Sequence, residues 1–121
     1  MARVYLETSS VSACVTNRTD PASIYRRDVS QDWWRTQAGR HELFISAEVV
    51  TELSRPTFPV SREALDWVRD VPLLDVDEEV RGFAEILVRE MVMPAPVAGD
   101  AIHVSVACVH DVDYVLTWIT S

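Results

Sequence analysis

Three acidic residues sit in apolar surroundings where an isolated charge is hard to tolerate. Glu7 follows Val4-Tyr5-Leu6, Glu52 lies within Val49-Val50-Thr51-Glu52-Leu53, and Asp100 lies within Val97-Ala98-Gly99-Asp100-Ala101-Ile102. Burying a lone carboxylate costs several kcal/mol, of the order of 3 or more, unless a partner compensates it. The chain has no Lys, and apart from Arg55 no Arg lies next to these positions. A shared hard cation, Mg²⁺ or Mn²⁺, suits several convergent carboxylates. The competing reading is plainer: Asp100 caps a helix and Glu7 is a solvated strand end.

The elements around these acids decide whether they can meet. Residues 3–7 alternate and contain β-formers, which predicts a short buried strand. Thr8, Ser9 and Ser10 offer cap hydroxyls for a helix through Val15. Asp20-Pro21 opens a second helix to about Ala38, with Gly39 as its stop. Glu42–Ser46 reads as a strand, and Ser46 as the cap of a short helix that Pro56 and Pro59 end. Ser61 begins a helix with Leu65 and Val68 facing inward. Residues 71–76 predict a third strand. Asp77-Glu78-Glu79 opens a long helix, acidic where the dipole favours it, with Val80, Phe83, Ala84, Leu87, Val88 and Met91 as its buried stripe. Gly99-Asp100 begins a last apolar helix through Val109, and residues 113–118 give a fourth strand.

The order β-α-α-β-α-α-β-α-α-β implies a parallel sheet with right-handed crossovers. Sites in such sheets collect at the carboxyl ends of strands and the amino ends of helices. Glu7, Glu52 and Asp100 all fall there. The 121 residues suit one domain, residues 1–121. Apolar residues at 48% and charged residues at 25% allow an ordinary globular core. A net charge of −8 argues against non-specific coating of nucleic acid, although it leaves room for a metal-screened nuclease. Cys14 and Cys108 lie among apolar neighbours and read as two buried free thiols. No apolar run reaches the roughly 18 residues that span a bilayer, and the first residues carry no export pattern, so a cytoplasmic location without membrane partners is expected.

Four segments in register with this order carry a family resemblance. They are Val4-Tyr5-Leu6-Glu7-Thr8-Ser9-Ser10, residues 44–53 (Phe44 to Leu53), Asp100-Ala101-Ile102-His103-Val104-Ser105-Val106-Ala107, and Asp113-Tyr114-Val115-Leu116-Thr117-Trp118. Together they resemble the signature blocks of the PIN-domain family, in particular the VapC-like toxins of type II toxin–antitoxin pairs. The resemblance implies a three-layer α/β/α fold with a short parallel sheet of about four strands. It also implies a metal-dependent endoribonuclease, with Mg²⁺ or Mn²⁺ held by Glu7, Glu52 and Asp100. Thr8 and Ser9 would position water and substrate. The implied partners are an RNA substrate, a cognate antitoxin and a second copy in a homodimer.

Three departures accompany the resemblance. The family's first acid is Asp, and Glu7 is one methylene longer; a displacement of about 1 Å costs about 100-fold in rate. Where the family carries Asp or Asn two residues after Thr117, this chain has Ile119, which cannot hold a cation. The family also continues beyond the position of Ser121, so the C-terminal part reads as truncated. These features favour an alternative: a catalytically impaired PIN-fold protein that acts by binding RNA or a partner.

Further residues invite two readings each. His103, one turn after Asp100, either faces the site as an auxiliary group or packs against the sheet. Glu48, four residues before Glu52, is either an auxiliary ligand or a solvated first-turn acid. Adjacent Trp33 and Trp34 point about 100° apart on a helix, so one is expected in the core and the other at a dimer or antitoxin interface or stacked on an RNA base. Arg26 and Arg27 read as a solvated face or as RNA phosphate contacts.

Overall fold

The computed structural model describes residues 1–118, and the elements follow the expected order. Strands β1 (Arg3–Leu6), β2 (Glu42–Ser46), β3 (Leu73–Leu74) and β4 (Tyr114–Leu116) alternate with helices. These are α1 (Thr8–Val15), α2 (Pro21–Gln37), α3 (Ala47–Leu53), α4 (Ser61–Trp67), α5 (Glu78–Arg89) and α6 (Asp100–Val109), with a short 3₁₀ turn at Ala38–Arg40. The sheet runs β3-β2-β1-β4, and every pairing is parallel. Helices α1 to α4 pack among themselves and α5 packs on α6, which gives the expected α/β/α arrangement.

Position in the sheet explains the composition of each strand. β1 pairs on both sides, and Val4, Tyr5 and Leu6 are all buried, as a central parallel strand requires. β3 and β4 are edges, and Leu73, Tyr114 and Val115 are exposed. Their short paired stretches reflect this: residues 71–76 contribute only Leu73–Leu74 to the ladder. The core joins β1, β2, α1, α3, α5 and α6 through Leu6, Val11, Ile45, Leu53, Val80 and Ile102.

The helix starts follow local chemistry. The Asp20 side chain accepts from Ser23 N and the Asp77 side chain from Val80 N, each capping the helix that follows. Three expectations are corrected. Glu7, not the hydroxyls after it, caps α1, its carboxylate accepting from Ser9 N. Ser46 precedes α3 without capping it, because its Oγ is engaged 2.7 Å from Tyr5 Oη. On α4 the buried positions are Ala64 and, just past the helix, Val68, while Leu65 is only partly buried. Two residues are also more exposed than their sequence context implies. Met91 lies beyond the end of α5 with φ +60° and is 89% exposed, so the buried stripe stops at Val88. Cys108 is exposed on α6, whereas Cys14 is buried. Trp33 and Trp34 are both half-buried; Trp34 packs edge-on against Trp33 and against Trp67 of α4.

Candidate metal centre

The sheet order sets where a site can form. The chain builds outward from β1 through β2 to β3, then crosses back to place β4 on the other side of β1. The reversal lies between β1 and β4, and crevices open at the carboxyl ends of strands at such a point. Glu7 leaves β1 there, and Thr117 leaves β4 beside it. The Glu7 Oε1 atom accepts from Ser9 N at 2.9 Å, from Thr117 Oγ1 at 2.8 Å and from the Ser9 hydroxyl. Ser9 Oγ in turn accepts from Trp118 N at 2.9 Å. Glu7 is only 6% exposed, and among the described residues no cation pairs with it. Its partners are the Ser9 amide and hydroxyl at the amino end of α1, where the helix dipole favours a negative charge, and the Thr117 hydroxyl just past β4.

Glu52 reaches the same place from α3. Its Oε1 accepts from the Thr8 hydroxyl and lies 2.6 Å from His103 Nε2. His103 is 3% exposed and its Nδ1 lies 2.6 Å from Tyr5 Oη, so a buried chain runs Ser46–Tyr5–His103–Glu52–Thr8. Burial raises the affinity of the Glu52 carboxylate for a proton, but the hydrogen bonds from His103 and Thr8 and the nearby charges of His103 and Arg55 more than reverse this. Its pKa is held below the usual carboxylate value. Burial pushes the Tyr5 phenol well above its ordinary range, and the Ser46 hydrogen bond only partly offsets that. Tyr5 is therefore a neutral hydroxyl at physiological pH.

Two carboxylates and an imidazole thus converge. One ligand atom each from Glu7, Glu52 and His103 lies within 4.8 Å of the others. This donor set fits a divalent cation: its anionic oxygens offset the metal's charge, and among the described residues Glu7 has no other cation to meet. Asp100 stands outside that group, exposed in the first turn of α6, one turn before His103. Glu48 also stands outside it, its Oε1 accepting from Gly99 N at 3.3 Å. Thr8 and Ser9 lie at the site, with their hydroxyls bonded to the carboxylates. Ile119 lies outside the described residues.

Sequence reasoning passed over three contributors. Tyr5 looked like one more core residue of β1, yet it orients His103. Thr117 holds Glu7, and its signal was its place one residue past β4. Gly99 has φ +53°, a conformation that L side chains rarely adopt, and a Cβ there would stand 3.7 Å from Glu52 Oε2.

Comparison with known proteins bears on the fold. No family model matches the chain, and no curated protein matches it in sequence. Among solved structures, the chain is similar to one in the crystal structure of VapBC2 from Rickettsia felis bound to a DNA fragment from their promoter. The match has a TM-score of 0.62 at 14% identity and covers 93% of this chain and 86% of the other. Among the described residues, no helix is long and apolar enough to cross a membrane.

Proposed function

We propose that this protein is a metal-dependent endoribonuclease and the toxin member of a toxin–antitoxin pair. The observation that carries the reading is the convergence of Glu7 and Glu52 with His103 at the carboxyl end of a parallel sheet. The fold-level likeness to a chain of the VapBC2 complex supports it. Glu7 and Glu52 would hold Mg²⁺ or Mn²⁺, with Asp100 adding negative charge from the exposed rim. The bound cation supplies Lewis-acid stabilisation of the phosphate charge and acidifies water.

The chain's own residues do the positioning. Thr8 and Ser9 fix the two carboxylates through their hydroxyls and line the opening toward solvent. A cleft of about 390 Å³ starts at Glu7 and Glu52 and reaches Arg55 and Phe58. A neighbouring cleft of about 360 Å³ shares Ser9, Ser12 and Phe58 with it and continues to Arg18, Arg26 and Trp118. Three guanidinium groups and two aromatic rings beside an acidic site suit a single nucleic-acid strand, with Arg gripping phosphate and the rings offering stacking faces. Exposed Tyr25 and Val29 on α2 provide an apolar surface for an antitoxin or a second copy.

The direct test is incubation with single-stranded RNA, with Mn²⁺ or Mg²⁺ and with chelator. Cleavage that needs the metal and disappears in Glu7→Gln is expected. Ile119, an apolar residue in the sequence where the resembling family is polar, favours the second reading, binding of RNA or a partner without cleavage. RNA binding with no product under any metal would replace the first reading by the second.

A further inference from the structure

The converging ligand atoms are not of one kind. Glu7 and Glu52 offer oxygen, and His103 offers an imidazole nitrogen. Mg²⁺ binds through one or two carboxylates, keeps several waters and demands near-ideal octahedral oxygen geometry. Imidazole suits the first-row transition dications, and nitrogen donors raise the affinity of a site along that series. Building on the metal-site reading above, we infer that His103 is itself a ligand through Nε2, and that the site therefore selects a transition-metal dication such as Mn²⁺ or Co²⁺ over Mg²⁺.

Three features of the surroundings favour ligation over simple packing. First, the far nitrogen is already committed. Nδ1 lies 2.6 Å from Tyr5 Oη, and that oxygen lies 2.7 Å from Ser46 Oγ. Nε2–H donates to Glu52 Oε1; a cation between the two would take that proton's place, and with Nδ1–H then donating to the Tyr5 oxygen the Nε2 lone pair is left for the ion. Metal-bound histidines almost always donate their second ring N–H to a neighbouring oxygen in this way, which fixes both the tautomer and the ring plane. Second, the ring has little freedom. It is 3% exposed and tilted 48° against the Tyr5 ring at a centroid distance of 5.6 Å.

Third, the spacing is close to what sharing an ion demands. Two ligands bound at about 2.1 Å and about 90° to each other stand about 3 Å apart. His103 Nε2 and Glu52 Oε1 are 2.6 Å apart, so a cation between them needs an opening of only a few tenths of an ångström. Thr8 Oγ1 lies 3.4 Å from Nε2 and is bonded to Glu52, and Thr8 lines the cleft that opens beside them. The rival role for His103 is that of a fixed counter-charge to Glu52, in which case a cation would rest on carboxylates alone and show no preference for nitrogen-loving metals.

The test uses the wild-type chain. Mn²⁺ and Mg²⁺ are titrated separately by calorimetry, and the Mn²⁺ complex is examined by pulsed electron paramagnetic resonance for coupling to a directly bound ¹⁴N nucleus. The expected result is Mn²⁺ affinity at least about tenfold above that for Mg²⁺, together with a nitrogen coupling. His103→Asn should lose the coupling and most of the preference while keeping weaker Mn²⁺ binding. Mn²⁺ bound without nitrogen coupling, or Mn²⁺ and Mg²⁺ bound equally, overturns the inference and leaves the metal-site reading intact. Failure of the wild type to bind either ion overturns both.

Discussion

Two of the three clustered side chains and both acids of the rim are supplied by the same two helices. α3 carries Glu48 and Glu52, four residues apart, and α6 carries Asp100 and His103, three apart. In each pair the residue farther along the helix enters the cluster and the earlier one stays at the edge. Glu52 meets Thr8 and His103, whereas Glu48 meets the Gly99 amide and Asp100 faces solvent. A side chain on the first turn of a helix and one on the second can share a face and still differ by about 5 Å in depth. At this site, one helical turn separates a residue that can grip an ion from one that only shapes the field around it.

Substitution of the two inner carboxylates, Glu7 and Glu52, should break this contrast most visibly. Glu7→Gln and Glu52→Gln are expected to abolish the rise in melting temperature caused by Mn²⁺, since a ligand bound only by the native state stabilises it. Metal-dependent RNA cleavage should fall by about 100-fold or more in both. Asp100→Asn and Glu48→Gln should weaken both responses by less than about tenfold, because each alters charge near the ion without removing a member of the cluster. If Asp100→Asn proves as damaging as Glu52→Gln, the division between interior and rim is wrong and α6 must move on binding.

Gly99 lies where the rim joins the interior. Its φ of +53° disfavours any side chain, while the space beside it would accept a Cβ in ordinary contact, 3.7 Å from Glu52 Oε2. Gly99→Ala is therefore expected to cost about 1–3 kcal/mol through the backbone and little through steric clash. Denaturant unfolding would read the loss directly. A neutral result would mean that the loop before α6 relaxes freely and does not fix the depth of His103.

How much of this was legible in the sequence depended on the type of signal. Strand and helix order followed from caps and periodicity: Asp20-Pro21 and Asp77-Glu78-Glu79 each opened a helix where expected. Element lengths were less legible at the sheet edges, where β3 has a neighbour on one side only and the extended pattern of residues 71–76 outruns its hydrogen bonds. Glu7 and Glu52 stood out because apolar neighbours surround them. Asp100 has the same kind of neighbours but lies on the exposed side of the α6 amino end, and no periodicity argument separates it from His103 by depth. The roles of Tyr5 and Ser46 depend on contacts across 98 and 41 positions of chain, which local patterns do not encode.

Acid offers a gentler probe of the inner pair. The Glu52 pKa is depressed in the folded protein, so the carboxylate contributes stability that is fully present above about pH 4.5 and is lost as pH falls through the lower folded value. The melting temperature of the wild type should therefore drop more steeply than that of Glu52→Gln on acidification from pH 5. Parallel curves would show that the His103 and Thr8 contacts do not favour the charged form. Because Glu52 is partly open to solvent, the expected difference is modest.

The smallest effect is expected at Thr117, where the interior is held from the opposite edge. Its hydroxyl is one of three donors to the same Glu7 oxygen, beside Ser9 N and the Ser9 hydroxyl. Removing one donor of three leaves the carboxylate solvated by the other two, so Thr117→Val should cost about 0.5–1 kcal/mol, within the range of a single net hydrogen bond. Thr117→Ser keeps the donor and should recover most of that loss. Thermal melts of the two variants separate the hydroxyl's contribution from that of the methyl. If Thr117→Val cost as much as Gly99→Ala, β4 would be setting the position of Glu7 itself, and the metal centre would depend on the sheet edge as strongly as on the helices.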